Sequence, residues 1–324
     1  MIFEKAIVGA YQKNICTRYD GNPLVKYFSV ADFPGLQRTP FDFEGNAGQK
    51  LQGYYYYYSS PRRDRLVIFD HGMGGGHDSY MKEIELIARR GYTVFSYDHT
   101  GCRESGGENT VGFSQSLCDL DYAVNALKAA KEWKDAKFSV IGHSWGGFAA
   151  LNVSALHPDI ESCVSISGFI AVERMVEQFF GGILKLYRPS ILRLEREACP
   201  MYSLIDARKS LKNSQSRILY IASDNDPVVK TEYHFETLKA AVSESGNFEF
   251  LLVKNRLHNP NYTEAAAAEL AKMTAAMTEG IKKKAFETEE AVNEFRNSWD
   301  WNAITEQDEE LWNKIFDFIE GGSK

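Results

Sequence analysis

The stretch FSVIGHSWGGFAALNVSAL, residues 138–156, decides how the rest of the chain is read. Phe138–Ile141 is a short apolar run, the mark of a strand buried on both faces. Trp145–Leu156 reads as a helix that follows directly. Between them stands Gly142-His143-Ser144-Trp145-Gly146, with Gly147 next. A serine on so sharp a strand-to-helix turn takes a strained backbone conformation. Side chains two residues to either side would collide there, and glycine at 142 and 146 removes the clash. The helix starting at Trp145 aims free backbone N–H groups at the serine. The pattern G-x-S-x-G alone is weak; its place between a β-run and a helix points to a nucleophile.

Outward from this turn, strands and helices alternate. Leu66–Phe69 is an apolar run ending in Asp70-His71-Gly72, followed by a helix marked by Met81, Ile84 and Ile87, with Asp78 as its expected N-cap. Tyr92–Tyr97 reads as a strand, and Leu117, Leu120, Val124 and Leu127 share one helix face. Ser162–Ile166 is the strand after the serine turn. The alternation breaks after Gly168: residues 169–215 look mostly helical and unusually apolar. It resumes with strand Ile218–Ala222, a helix through Phe235, Leu238 and Val242, and strand Phe248–Val253. Such βα repetition implies a parallel sheet covered by helices on both faces, with one insertion. Before it, Thr39–Glu44 and Lys50–Tyr58 predict an antiparallel edge hairpin, and the run Tyr54–Tyr58 a strand showing rings to both faces. The tail is largely helical; Thr305 with Asp308 predicts a capping box for a last helix that buries Leu311, Ile315 and Ile319.

The 324 residues suit two domains or one large domain with insertions, at roughly 150 residues per domain. Hydrophobic residues at 44% and charged residues at 25% fit a soluble globular chain and exclude a disordered or fibrous one. A net charge of −7 argues against a nucleic-acid partner. Five scattered cysteines argue against a disulfide framework and for a reducing, cytoplasmic location. No signal peptide is expected in MIFEKAIVGAYQKN, and no run approaches the roughly 20 apolar residues of a membrane span.

A serine nucleophile needs a base. Of the seven histidines, His258 follows the last strand in Leu257-His258-Asn259-Pro260, at a carboxyl end, where catalytic groups of α/β sheets gather. Its alternative is a plain loop histidine. The orienting anion comes from Ser223-Asp224-Asn225-Asp226-Pro227-Val228-Val229, where Asp226 is favoured over Asp224 because it lies deeper in the loop, before Pro-Val-Val. In the glycine-rich turn His71-Gly72-Met73-Gly74-Gly75-Gly76, the N–H of Met73 can pair with that of Trp145 as oxyanion donors. A phosphate loop would end in Gly-Lys-Ser/Thr, whereas His77-Asp78 stands here. His71, His77, Asp78 and His99 match no specific metal-ligand spacing, so no metal is expected.

Taken together, HGMGGG at 71–76, Tyr97-Asp98 with Gly101 and Ser105, GHSWGG at 142–147, SDNDPVV at 223–229 and Leu257-His258 resemble the α/β-hydrolase superfamily. The resemblance is closest to the monoacylglycerol-lipase, lysophospholipase and serine-aminopeptidase-like branch. It implies an α/β-hydrolase fold, with Ser144 as nucleophile, Asp226 as acid, His258 as base, and Met73 and Trp145 as oxyanion donors. It further implies that 169–215 is a cap, set between core segments 39–168 and 216–324, after an N-terminal segment 1–38. Arg103 and Leu257 depart from the family pattern at positions where glycine is common.

The expected reaction is hydrolysis of a carboxylic ester through an acyl-enzyme, without metal or organic cofactor. The substrate is expected to be a small molecule with a hydrophobic acyl group, lined by Phe179, Phe180 and His143. The rival within the enzyme class is a serine aminopeptidase or amidase, which needs a carboxylate such as Glu173, Glu177, Glu195 or Glu197 for the substrate ammonium. The rival outside it is a hydrolase-fold binding protein that has lost catalysis. A homo-oligomer is compatible with the apolar insertion.

Overall fold

A computed structural model describes residues 2–242 and 247–321. Helix α1 (Ile2–Ile15) is followed by the hairpin β1 (Gln37–Glu44) and β2 (Lys50–Tyr57). Then come β3 (Arg65–Asp70), α2 (Met81–Arg89), β4 (Thr93–Tyr97), α3 (Gln115–Ala129), β5 (Lys137–His143), α4 (Trp145–Asn152) and β6 (Ser162–Ile166). The insertion carries α5 (Val172–Phe179), α6 (Arg188–Ala198) and the single turn α7 (Ala207–Ser210). The core resumes with β7 (Arg217–Ser223), α8 (Phe235–Val242) and β8 (Phe248–Val253), and the tail holds α9 (Glu264–Lys282), α10 (Glu289–Asn297), α11 (Trp301–Ile304) and α12 (Glu309–Glu320).

The eight strands form one sheet in the order β1-β2-β4-β3-β5-β6-β7-β8. β1 and β2 are antiparallel, β2 meets β4 antiparallel, and every pairing from β4 to β8 is parallel. Successive side chains along a strand point to opposite faces. Thus Leu66 and Ile68 join one core layer with α3 and α4, while Val67 and Phe69 join the other with α2 and α12. A sheet covered on both faces buries its central strands along their whole length, as β3 and β6 are buried, and β3 carries the unbroken apolar run Leu66–Phe69. The tyrosine run obeys the same rule: Tyr55 packs in the first layer, Tyr54 and Tyr56 in the second.

Two expected helix starts fall elsewhere. Asp78 does not cap α2; it lies in the 3-10 turn His77–Tyr80 and accepts from Arg103 Nε at 3.0 Å, so its carboxylate is taken by a charge partner. Thr305 makes no capping box with Asp308. Its hydroxyl donates to Trp301 C=O at 2.6 Å and closes α11, while Asp308 alone caps α12 by accepting from Leu311 N–H at 3.0 Å. Helix α4 ends at Asn152 and continues as a 3-10 turn, Val153–Ala155, short of Leu156.

Helix α1 packs on α6 of the insertion. The Tyr11 hydroxyl donates to the buried Glu195, and Ser190 Oγ donates to Glu4 at 2.5 Å. All five cysteines are free thiols. Among the described residues no helix is long and apolar enough to cross a membrane.

Candidate active site

Ser144 sits at the corner between β5 and α4 with φ 56° and ψ −108°, in the left-handed half of backbone space that side chains avoid. The neighbours hold it there: its N–H donates to Ile166 C=O at 2.8 Å, and its C=O accepts from Phe148 N–H at 3.0 Å. The glycines are required by close approach. A Cβ on Gly142 would lie 2.2 Å from the Gly146 carbonyl oxygen, and one on Gly146 would lie 2.1 Å from that of Asp70. Strain of this kind persists only where the surroundings over-determine it.

Three loops at the carboxyl ends of β5, β7 and β8 bring Ser144, Asp226 and His258 together. Ser144 Oγ is 2.8 Å from His258 Nε2, and His258 Nδ1 is 2.8 Å from Asp226 Oδ2. The other Asp226 oxygen accepts from Val228 N–H at 2.8 Å and Val229 N–H at 3.0 Å. Its two oxygens are thus aimed in fixed directions, and the residue is buried. Asp224 is exposed and accepts from Asn255 N–H at 3.0 Å, which makes it a brace for the histidine loop.

That brace belongs to a set which the sequence reading missed. Arg256 N–H donates to Ser223 Oγ at 3.0 Å and Leu257 N–H to Asn225 Oδ1 at 2.9 Å. Three consecutive side chains at the end of β7 therefore hold three consecutive N–H groups ahead of His258. Leu257 takes φ 51° and Arg103 φ 45°. Both positions where glycine is common in the resembling family thus keep a glycine-like backbone while bearing a side chain.

His143 was expected to touch substrate, yet both its ring nitrogens face protein groups. Tyr80 Oη lies 2.8 Å from Nδ1, and Nε2 lies 2.8 Å from the carbonyl oxygen of His258. Tyr80 Oη also accepts from Gly72 N–H at 3.1 Å. One consistent assignment has Tyr80 donating to Nδ1 and Nε2–H donating to the His258 carbonyl. Burial, then the nearby His258, pushes His143 down to about 3, so it stays neutral. The chain from Gly72 through Tyr80 and His143 to His258 ties the glycine-rich loop to the loop that carries His258.

In that loop, Met73 N–H has no acceptor among the described residues, and neither has Trp145 N–H at the start of α4. His71 shapes the loop: Nδ1 is 2.8 Å from Gly72 C=O, and Nε2 accepts from His99 N–H at 3.0 Å. Burial pushes His71 down to about 3. Beneath the corner, His99 packs on Trp145 with 4.7 Å between ring centroids and stands between Asp70 at 2.7 Å and Asp119 at 3.3 Å. Burial alone would depress it, but the two carboxylates outweigh burial and raise it to about 9. His77 pairs with Asp98 at 2.8 Å. Among the described residues no cluster of His, Cys, Asp or Glu is arranged to hold a metal ion.

Phe179 stacks on Phe113 at 6.3 Å between centroids, and Phe180 lies 6.2 Å from Tyr11. Among the described residues, one cleft borders the site at Met73 and another at His258; neither Ser144 nor any residue of 169–215 lines them. One, of about 450 Å³, runs from Met73 and Gly74 to Asn259; the other, of about 670 Å³, is lined by His258 itself. Helix α9 walls both. The expected substrate contacts of Phe179 and Phe180 are therefore not found at these clefts, because their rings pack against Phe113 and α1.

Residues 65–195 match the family model for the alpha/beta hydrolase fold. A proline iminopeptidase of Thermoplasma volcanium is 32% identical over 108 residues, which is 32% of this chain and 35% of that protein. A monoglyceride lipase of Rattus norvegicus is 27% identical over 37% of this chain and 38% of that protein. The chain thus spans little more than a third of the length of these curated relatives. Among solved structures, the Pyrococcus furiosus esterase Pf2001 superposes with a TM-score of 0.60 at 20% identity, covering 83% of this chain and 98% of that one. At that identity the likeness is one of fold. With its mostly parallel eight-stranded sheet, its strained corner serine and the family-model match over residues 65–195, the chain has the α/β-hydrolase fold.

Proposed function

We propose that the protein is a serine hydrolase of carboxylic esters. The observation that supports this reading most is the unbroken chain Ser144 Oγ, His258 and Asp226, with two 2.8 Å contacts. Such contacts are within reach of proton transfer. Ser144 Oγ attacks the ester carbonyl carbon while His258 Nε2 takes its proton. Asp226 holds Nδ1–H and stabilises the imidazolium. The carbonyl oxygen, now negative, receives the N–H groups of Met73 and Trp145, each worth about 3–4 kcal/mol of barrier. The imidazolium then protonates the leaving alcohol. Water, deprotonated by His258, releases the acid from Ser144.

An ester is favoured over a peptide because the insertion offers no unengaged carboxylate near the clefts. Glu195 is buried and accepts from Tyr11 and Phe113; Glu177 pairs with Arg174, and Glu197 faces Arg193 at 4.0 Å. Glu173 is exposed and borders a separate pocket with Leu204 and Lys209. The iminopeptidase likeness keeps an aminopeptidase as the second reading. We read 169–215 as a cap that borders the acid loop, where Gln178 accepts from Lys230 N–H at 2.9 Å, without lining either cleft, and five free thiols support a cytoplasmic location. The test is a panel of p-nitrophenyl esters beside aminoacyl anilides. Ester turnover without anilide turnover is expected; anilide turnover alone moves the protein to the peptidase reading.

A further inference from the structure

Both clefts at the site are walled by the C-terminal helix α9, and they differ in what they touch. The larger is lined by the His258 side chain and by Pro227, next to Asp226. A leaving alcohol must sit within reach of the base that protonates it, so the larger cleft faces the leaving group. The smaller is lined by Met73 and Gly74 but not by the His258 side chain. It opens beside Met73, the expected oxyanion donor, and adjoins the larger cleft at Asn259, Leu270 and Thr274, so the acyl half of an ester whose leaving group faces His258 extends into it. Its walls are Tyr27 and Phe28 from the N-terminal segment, Leu270, Met273 and Met277 from α9, and Trp301 from α11. Residues 270, 273 and 277 recur at spacings three and four, so one helix face supplies them. The volume of about 450 Å³ lies within the range of roughly 300–1,000 Å³ typical of small-molecule pockets.

The charged groups bordering this cleft have partners. Asp78 is held by Arg103, Lys82 Nζ donates to Asn302 at 2.6 Å, and Glu83 accepts from Asn261 and Gln307 at 3.1 Å. Lys26, also at the border, faces Asp32 at 3.6 Å. Ser79, Thr274 and Thr305 add hydroxyls to the lining, and the apolar wall is adaptable at the two methionines, because unbranched thioethers rotate to fit chains of different shape.

We propose that the cleft between α9, Trp301 and Tyr27-Phe28 is the acyl-chain pocket, and that Leu270 and Met277 set the chain length it accepts. The proposal rests on the ester-hydrolase reading and deepens it. Each methylene buried there raises kcat/KM by about fourfold, so the protein acts better on an octanoyl than on an acetyl ester. The experiment measures the octanoyl-to-acetyl ratio of kcat/KM for p-nitrophenyl esters in the full chain, in Leu270→Trp, in Met277→Trp and in Phe179→Ala. Each ratio is internal to one preparation, so a reduced yield of folded protein cancels. The ratio is expected to exceed one in the unaltered protein, to fall at least tenfold in both tryptophan variants, and to stay within twofold in Phe179→Ala. A ratio below one at the start, or tryptophan variants that leave it unmoved, overturns the pocket while the hydrolase reading stands. A shift seen only in Phe179→Ala returns the chain to the insertion. Complete absence of ester turnover sinks the hydrolase reading and this pocket with it.

Discussion

Two helical regions are added to the sheet, the insertion 169–215 and the tail 264–320, and they meet its carboxyl edge differently. The insertion is the more conspicuously apolar, and Ile183 and Leu186 remain 79% and 69% exposed. It is fastened sideways, through Glu195 to Tyr11 of α1 and to the Phe113 N–H. The tail is rich in alanine, yet α9 walls both clefts that reach residues 73 and 257–259. The contrast teaches that apolar composition measures how much surface a segment has to bury, not where in the fold it buries it. The proposed chemistry lies in the strand-end loops, and the two helical regions differ in whether they border the clefts beside those loops.

The largest expected effect separates the loops from everything around them. Asp226→Asn should lower kcat by about 10⁴-fold, because the amide favours the wrong histidine tautomer. Asp224→Asn, which only weakens a loop brace, should lower it by less than about tenfold. The reverse ranking in steady-state kinetics would reassign the acid.

Next comes the fastening of the insertion. Glu195→Ala leaves the Tyr11 hydroxyl and the Phe113 N–H without their acceptor, in buried surroundings. Urea unfolding should show a loss of about 2–4 kcal/mol, with the acyl-chain ratio unmoved. A changed ratio would bring the insertion into the substrate's path and dissolve the contrast.

A smaller effect follows from buried histidines beneath and beside the loops. Burial keeps His71, His143 and His234 near 3, so the folded state binds fewer protons than the unfolded one between 3 and the ordinary 6.5. Stability is therefore lost as pH falls through that window. His99 has the opposite sign. Its contribution is whole below 6.5 and is lost as pH rises toward about 9. Tm should fall by roughly 3–6 °C between pH 6.5 and 9, and His99→Gln should flatten that limb from a lower starting Tm. An equally steep limb in the variant would remove His99 from the account.

The smallest effect concerns Leu257. Its φ of 51° suits glycine, so Leu257→Gly should change stability by less than about 1 kcal/mol, relief of strain offsetting added chain entropy. A loss above about 2 kcal/mol by urea unfolding would show that the side chain, rather than the brace from Asn225, holds the loop.

What was legible in the sequence shares one property: it is local. The serine corner is written in six consecutive residues, and the hairpin and the parallel strands in short apolar runs. Asp226 was set apart from Asp224 by the expectation that Pro227-Val228-Val229 returns the chain to the core; Asp226 and Val229 are buried, while Asp224, Pro227 and Val228 are exposed. The contact from Tyr80 through His143 to His258 joins residues 63 and 115 positions apart, and no local spacing marks it. The braces Ser223, Asp224 and Asn225 were visible as polar loop residues, but their partners were not. Asp78 was misread as a cap because Arg103, 25 positions on, claims its carboxylate. The place of α9 depends on how residues 254–263 leave β8, which composition does not encode.

The central claim is that Ser144 is a nucleophile activated by His258. Intact-mass spectrometry after exposure to a fluorophosphonate tests it most directly. One phosphonyl adduct, mapped to Ser144 and lost in both Ser144→Ala and His258→Ala, is the predicted result. A folded protein that stays unmodified, or an adduct that survives in His258→Ala at the same rate, would contradict it.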